Sequence, residues 1–224
     1  MGRVELVVLD VNETLSDMTP LRQRFVDVGA PAHLLDVWFA GTLRDGFALA
    51  VTGSVASFPD VGTGVLQALL TPLTLTMSVE EASRHVLAGF PDLRLHPDVA
   101  PGLRVLAEAG VRLVTLTNGS AALAARLLDG DGVADLVEAR LSVDDAGRWK
   151  PHPQAYGWAL EQCRVAPDRA AMLAVHPWDL EGAKQAGLLT GWVDRVGVPW
   201  PSVFVPPDAQ GRDMPQLAAG LIGL

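Results

Sequence analysis

The period of the hydrophobic positions changes along the chain, and the changes divide it. Val4-Glu5-Leu6-Val7-Val8-Leu9 is an apolar, β-branched run that stops at Asp10, as a strand buried on both faces does. Four helical stretches follow without a strand between them. The first spans Pro20 to Val28. The second, Pro31 to Val51, puts Leu35, Trp38, Phe39, Thr42, Leu43, Gly46, Phe47 and Ala50 on one stripe at helical spacing. The third covers Val61 to Leu70. The fourth opens at Ser78 with Glu81 three residues on, a capping box, and reaches Gly89.

From His96 helix and strand alternate. Asp98 is placed to cap a helix ending at Gly110, and Val111–Thr117 is a strong strand signal. Ser120 caps a helix through Asp129, Val137–Ser142 is a short strand, and helix His152–Cys163 precedes strand Ala171–Val175. Helix Asp179–Ala186, Gly187 and strand Leu189–Val193 complete the series; the proline-rich tail beyond Gly197 carries no clear period. Such alternation implies a parallel sheet with helices on both faces and right-handed connections. The helical stretch has no place in that sheet. The expected organisation is therefore an α/β core of residues 1–14 and 94–224 with an inserted helical cap of residues 15–93.

Composition narrows the class. The 224 residues are 49% hydrophobic and 19% charged, too apolar for disorder and long enough for a sizeable core. No run reaches the ~18 apolar residues of a membrane span, and the run ending at Leu9 is too short for a signal-peptide core. A formal charge of −9 argues against nucleic acid or an anionic membrane as partner. The single cysteine, Cys163, excludes an internal disulfide and a cysteine-rich zinc site, and fits a cytoplasmic location.

Candidate chemistry lies at the strand ends, because open parallel sheets bind ligands beyond their carboxyl edges. There stand Asp10, the pair Thr117-Asn118, Lys150 and, after the fourth core strand, His176-Pro177-Trp178-Asp179. Any one could be loop polarity or a helix cap; together they form a convergent site. Lys150 and Lys184 are the two lysines in a chain whose other cations are arginine. A retained lysine suggests a need for a compact ammonium.

These residues resemble the motifs of the haloacid dehalogenase superfamily. Asp10-Val11-Asn12-Glu13-Thr14 resembles the first motif, Thr117-Asn118-Gly119 the second, Lys150-Pro151 the third, and Asp179 with Glu181-Gly182-Ala183 the fourth. The resemblance covers nearly the whole chain and implies a Rossmann-like core with a cap inserted after the first motif. Phosphatase members carry a second aspartate where this chain has Asn12, and another acid where it has Val175, so a Mg²⁺ site would be poorly held. The resemblance is therefore to the type II (S)-2-haloacid dehalogenases, which use no metal or other cofactor and share the Lys-Pro, a tyrosine matching Tyr156 and the Trp-Asp pair.

That resemblance implies Asp10 as nucleophile on C2 of a small 2-substituted carboxylic acid, an aspartyl ester, and hydrolysis to a 2-hydroxy acid of inverted configuration. Lys150 would keep Asp10 ionised, and Asp179 would orient the ammonium and take a proton from water. Thr14 and Thr117 would hold the nucleophile or the substrate carboxylate, with Asn118 beside the halide. Trp38, Phe39, Leu43 and Phe58 of the cap, with Trp178, would wall the pocket, though ordinary cap packing explains the aromatics equally well. The family's halide-binding arginine falls on Phe39; Arg44 is placed to replace it or to sit on the surface. His176 is a candidate contact to the substrate, whereas His33, His85, His96 and His152 read as structural or surface groups. The same displacement opening a strained ring such as azetidine-2-carboxylate, a phosphatase lacking its acid, and a non-catalytic small-acid binder stay open, and the apolar surfaces permit a homodimer.

Overall fold

Short apolar runs from distant parts of the chain assemble into one parallel sheet. The protein is described by a computed structural model over residues 4–224, within which residues 4–16 and 94–224 form one compact unit and residues 17–93 another. Among the described residues the first unit holds a six-stranded sheet: β1 (Leu6–Leu9), β2 (Arg112–Thr117), β3 (Ala139–Ser142), β4 (Ala170–Ala174), β5 (Leu189–Val193) and β6 (Ala209–Gly211). Their order is β3-β2-β1-β4-β5-β6, with every neighbouring pair parallel. The chain moves to one side of β1 for β2 and β3 and to the other for β4 to β6. β1 therefore borders the switch in strand order where a crevice opens. Leu9 lies opposite Thr115 of β2 and Leu173 of β4, and the Asp10 N–H donates to the Leu173 carbonyl at 3.1 Å. That register delivers Asp10 to the carboxyl edge of the sheet. All of β1 is buried, as its unbroken apolar run requires.

The second unit contains α1 (Leu21–Asp27), α2 (Leu34–Thr52), α3 (Phe58–Leu70) and α4 (Val79–Leu87). The capping box of α4 forms, with the Glu81 N–H donating to Ser78 Oγ and the Ser78 N–H donating to Glu81 Oε2. α3 begins three residues before the expected Val61. Ser57 caps it by accepting from the Asp60 N–H, and Pro59 fits the first turn, where no N–H is needed. The stripe along α2 is buried except for Phe47, which is half-buried. Trp38 is the centre of this unit's interior. Its ring lies 5.9–6.4 Å from those of Phe25, Phe39, Phe58 and Phe90, and its indole N–H donates to the Gly62 carbonyl at 2.8 Å.

The core helices are α5 (Val99–Glu108), α6 (Ala121–Gly130), α7 (Val143–Ala146), α8 (Pro153–Cys163), α9 (Pro177–Gln185) and α10 (Met214–Ile222). Ser120 caps α6. Asp98 does not cap α5 with its side chain. Its carboxylate instead takes the guanidinium of Arg195 and the Met214 N–H that opens α10, a stronger set of donors than the end of its own helix. The unpatterned tail supplies β6 and α10. α10 packs so close to α5 that a Cβ on Gly102 would stand 2.4 Å from that of Met214. α9 starts at Pro177 rather than Asp179, which places Asp179 in its first turn.

Candidate active site

Four loops at the carboxyl edge of the sheet bring their polar residues onto one buried cluster. Asp10 follows β1, Asn118 follows β2, Lys150 lies between α7 and α8, and His176 and Asp179 come with the start of α9. The Lys150 side chain is completely buried. Its Nζ donates to Asp10 Oδ1 at 2.9 Å and to Asp179 Oδ2 at 2.6 Å. An ammonium taken out of water at this depth is tolerated only between carboxylates, and here it has two.

The backbone that carries Lys150 is held as firmly as its tip. Asn118 grips it at both ends of its amide: Nδ2 donates to the Lys150 carbonyl at 3.1 Å and Oδ1 accepts from the Lys150 N–H at 2.8 Å. Thr117 shapes the same loop, its Oγ1 accepting from the Gly119 N–H. Tyr156, buried on α8, donates to Asp179 Oδ1 at 2.5 Å. Gly182 is required beside it, since a Cβ there would lie 2.6 Å from the Pro151 Cβ and 2.7 Å from the tyrosine hydroxyl. Asp179 thus accepts from Lys150 on one oxygen and from Tyr156 on the other.

The second oxygen of Asp10 has its own donors. Thr14 Oγ donates to Oδ2 at 2.6 Å while accepting from the Val175 N–H, and His176 Nδ1 lies 3.1 Å from the same Oδ2. The other ring nitrogen of His176 lies 2.8 Å from Glu13 Oε2. Trp178, half-buried, stacks on the imidazole with centroids 5.1 Å apart and planes at 28°.

These contacts set the protonation states. Burial pushes the Asp10 carboxyl up, but Lys150, His176 and Thr14 outweigh it and hold the group well below the usual carboxylate range. Burial pulls the Lys150 ammonium down, and the two carboxylates reverse that and raise it. Burial raises Asp179 more than Lys150 lowers it, with Asp10 adding to the rise. Tyr156 is pushed far up by burial and by Asp179, so it stays a donor. Burial would neutralise His176, yet its bonds to Asp10 and Glu13 lift it to about 9. At neutral pH Asp10 is therefore a carboxylate between two cations.

Of the residues expected from the sequence, the structure gathers Asp10, Thr14, Asn118, Lys150, Tyr156, His176, Trp178 and Asp179 into this cluster. Thr117 and Asn118 act on backbone, and Asn12 bridges to Ser16 in the loop after β1. Trp38, Phe39 and Phe58 meet one another within the helical unit, where Leu43 is also buried. Arg44 is an exposed side chain paired with its neighbour Asp45 at 2.7 Å. Glu13 was not among the candidates. Its signal was an acid in the loop directly after the strand-end aspartate, in a backbone conformation (φ 61°) that no residue pattern announced. His96, expected to be structural, holds that loop from below at the Glu13 carbonyl, 3.1 Å away, with Arg195 donating to the Glu13 and Thr14 carbonyls.

The donor set does not fit a divalent metal. Asp10 and Asp179 already face an ammonium, and Asn12 and Val175 stand at the two positions that would complete a carboxylate cage. Among the described residues no group of three or more His, Cys, Asp and Glu is arranged to hold one. No described helix is long and apolar enough to cross a membrane.

A parallel sheet whose first strand delivers a carboxylate to a buried lysine defines a site of the hydrolase class, and the chain belongs to the haloacid dehalogenase-like hydrolases, whose family model matches residues 4–187. Within that family it is 26% identical over 212 residues to haloacetate dehalogenase H-2 of Moraxella sp. (strain B), covering 93% of each chain. It is 25% identical over 226 residues to (S)-2-haloacid dehalogenase 1 of Pseudomonas sp. (strain CBS-3), covering 100% of this chain and 99% of the other. A solved L-2-haloacid dehalogenase superposes with a TM-score of 0.89 at 26% identity, over 98% of this chain and 99% of that one.

Proposed function

We propose that the protein is a metal-independent dehalogenase that hydrolyses a small (S)-2-haloacid to the (R)-2-hydroxy acid through an ester on Asp10. The observation that carries this reading is the Lys150 ammonium shared by two buried carboxylates at the carboxyl edge of the sheet. It occupies the ground a metal would need and keeps Asp10 ionised and nucleophilic. The relatives' names, a haloacetate dehalogenase and an (S)-2-haloacid dehalogenase, support the substrate class.

Asp10 displaces the halide at C2 in line, which inverts that carbon. Water then attacks the Asp10 carbonyl carbon, so the substrate carbon keeps the carboxylate oxygen and leaves as the hydroxy acid. Asp179, fixed by Tyr156, orients Lys150 and accepts the proton of the attacking water. Thr14 aligns the nucleophile, and Asn118 holds the lysine's backbone against it.

The test is halide release from (S)-2-chloropropionate and chloroacetate in EDTA, with intact-mass analysis of the protein. Halide in EDTA and an adduct mapping to Asp10 are expected. Release of phosphate from a generic ester only with Mg²⁺ would overturn the reading, as would the absence of both halide and adduct. The changed residues Asn12, Phe39 and His176 favour one variant, the same displacement opening azetidine-2-carboxylate, and a ring-opening assay run alongside separates it.

A further inference from the structure

The two oxygens of Asp10 are not equivalent. Oδ1 accepts from Lys150, whereas Oδ2 receives both the Thr14 hydroxyl at 2.6 Å and the His176 ring at 3.1 Å. A carboxylate oxygen has two in-plane lone pairs, so two donors saturate Oδ2 and leave Oδ1 the freer to attack. Two convergent donors on a carbonyl oxygen also make an anion-stabilising pocket, provided charge develops there during the reaction.

Behind the ring stands Glu13, with Oε2 2.8 Å from Nε2. Its backbone lies in the left-handed region at φ 61°, which a residue with a Cβ rarely adopts. His96 and Arg195 hold the Glu13 carbonyl and Arg195 the Thr14 carbonyl, so the strained turn is over-determined by its surroundings. Glu13 is aimed at His176 at a conformational cost, and the dehalogenation scheme above gives that aim no role.

We propose that Oδ1 of Asp10 is the attacking atom, that Thr14 and His176 form the oxyanion pocket for Oδ2 during ester hydrolysis, and that Glu13 is the positioning residue for the His176 ring. The inference rests on the ester mechanism proposed above. In the displacement, an Oδ1 lone pair forms the bond to C2 as the carbon–halogen pair leaves with the halide. In hydrolysis the water oxygen bonds to Cγ, the carbonyl π pair moves onto Oδ2, and one water proton passes to Asp179. The pair then returns from Oδ2, the Cγ–Oδ1 bond breaks, and Oδ1 departs on C2, taking the proton from Asp179. The new Asp10 acid loses its remaining proton to solvent.

The two half-reactions use the imidazolium in opposite senses. In the displacement Asp10 gives up negative charge, and a cation on Oδ2 opposes that. In hydrolysis Oδ2 gains a full charge from a neutral ester, and the cation stabilises it; only this interaction strengthens in the transition state. Glu13 acts when Asp10 is esterified. The Asp10 charge is then gone, and the Glu13 carboxylate keeps the ring protonated against burial. Asp10 and Glu13 face the ring at its two nitrogens, with Lys150 across the Asp10 carboxylate.

Rapid-quench single turnovers of (S)-2-chloropropionate on the full chain separate the steps, with halide reporting displacement and hydroxy acid and intact mass reporting hydrolysis. For His176→Ala and His176→Leu, which leave no donor at that position, displacement is expected at or above the wild-type rate, and hydrolysis slower by ~10²-fold, the effect of losing one oxyanion donor. The Asp10 adduct then accumulates to near one equivalent. For Glu13→Gln, the alkaline limb of the hydrolysis rate moves to lower pH relative to that of displacement measured in the same turnovers, a shift that a merely structural role would not produce. Hydrolysis within threefold of wild type in both His176 variants overturns the oxyanion role. So does loss of displacement in variants that unfold cooperatively well above the assay temperature. An unchanged pH limb in Glu13→Gln overturns the positioning role. A wild-type enzyme giving neither halide nor adduct instead sinks the underlying dehalogenase reading.

Discussion

The interior of the helical unit and the cluster at the sheet edge are buried to the same extent by opposite means. Trp38 and its ring of phenylalanines exclude water with apolar surface, and their indole N–H has its carbonyl partner. Asp10, Lys150 and Asp179 exclude it with charge, each group tolerable only because the next is present. In the first region stability scales with area and shape, so a smaller ring is a graded loss. In the second it depends on completeness. One missing partner converts a neutralised set into an uncompensated buried charge. A folded domain gains little from such a cluster, and its retention points to chemistry.

The largest break in that comparison comes from Lys150→Met, which keeps the volume and deletes the charge. We expect a stability loss of about 3–5 kcal/mol in urea unfolding at pH 7, with turnover abolished. The pH dependence identifies the cause. Asp10 and Asp179 left without the ammonium take up protons as the pH falls, so the deficit should narrow in acid. A deficit independent of pH would mean the lysine stem, not its charge, was holding the site. Next is Trp38→Ala, expected to cost about 3–5 kcal/mol by opening a cavity and orphaning the Gly62 carbonyl, with no such dependence on pH. Parallel unfolding curves at pH 5 and pH 8 would set the two regions side by side.

Gly182→Ala tests how tightly the charged cluster is walled. A Cβ would strike Pro151 and the Tyr156 hydroxyl at 2.6–2.7 Å, so α9 or α8 must shift. Overpacking of this kind costs about 1–3 kcal/mol. Because the displaced hydroxyl is the donor to Asp179, halide release should fall along with stability. A stable, fully active Gly182→Ala would show that the Tyr156–Asp179 contact is dispensable.

The same contrast explains what the sequence made legible. The parallel α/β core was readable because period and strand-end polarity are local, and Asp10, Asn118, Lys150 and Asp179 each stand where a strand or its following loop ends. Val4–Leu9, Val111–Thr117 and Leu189–Val193 were near-continuous apolar runs, and they are strands within one or two residues at each end. The tail was not readable. β6 is only Ala209–Gly211, and it exists because β5 offers it an edge, a condition set by the fold. Asp98 looked like a cap because a cap is the local option, while its actual donors come from Arg195 and Met214, far along the chain. Trp38 and Phe58 were ambiguous in principle, since a pocket wall and a packed interior ask for the same residues at the same helical spacing. Glu13 was missed for a different reason: its importance lies in a backbone angle and in a histidine 163 residues away.

His176 supplies the finest test of how the charged cluster is balanced. Folding lifts its pKa from 6.5 to about 9, the combined result of Asp10 and Glu13 overcoming burial. A group whose pKa is raised on folding binds its proton more tightly in the native state, so it stabilises wherever the unfolded chain still holds that proton too. The contribution is whole below pH 6.5, declines from there, and is lost as the pH passes 9. Asp10 runs the other way. Its lowered pKa stabilises above the ordinary carboxylate range and is lost only in strong acid, so it stays constant across the histidine's window. The difference in Tm between wild type and His176→Asn should therefore be largest near pH 6 and close progressively toward pH 9. If Glu13 shares the load, Glu13→Gln should show a smaller difference that holds level up to the variant's own, less raised ring pKa and then closes toward the same pH 9, where the wild-type ring loses its proton. A difference that widens with pH would mean that the native ring is neutral, and that the contacts at Oδ2 and Oε2 hold it by shape alone.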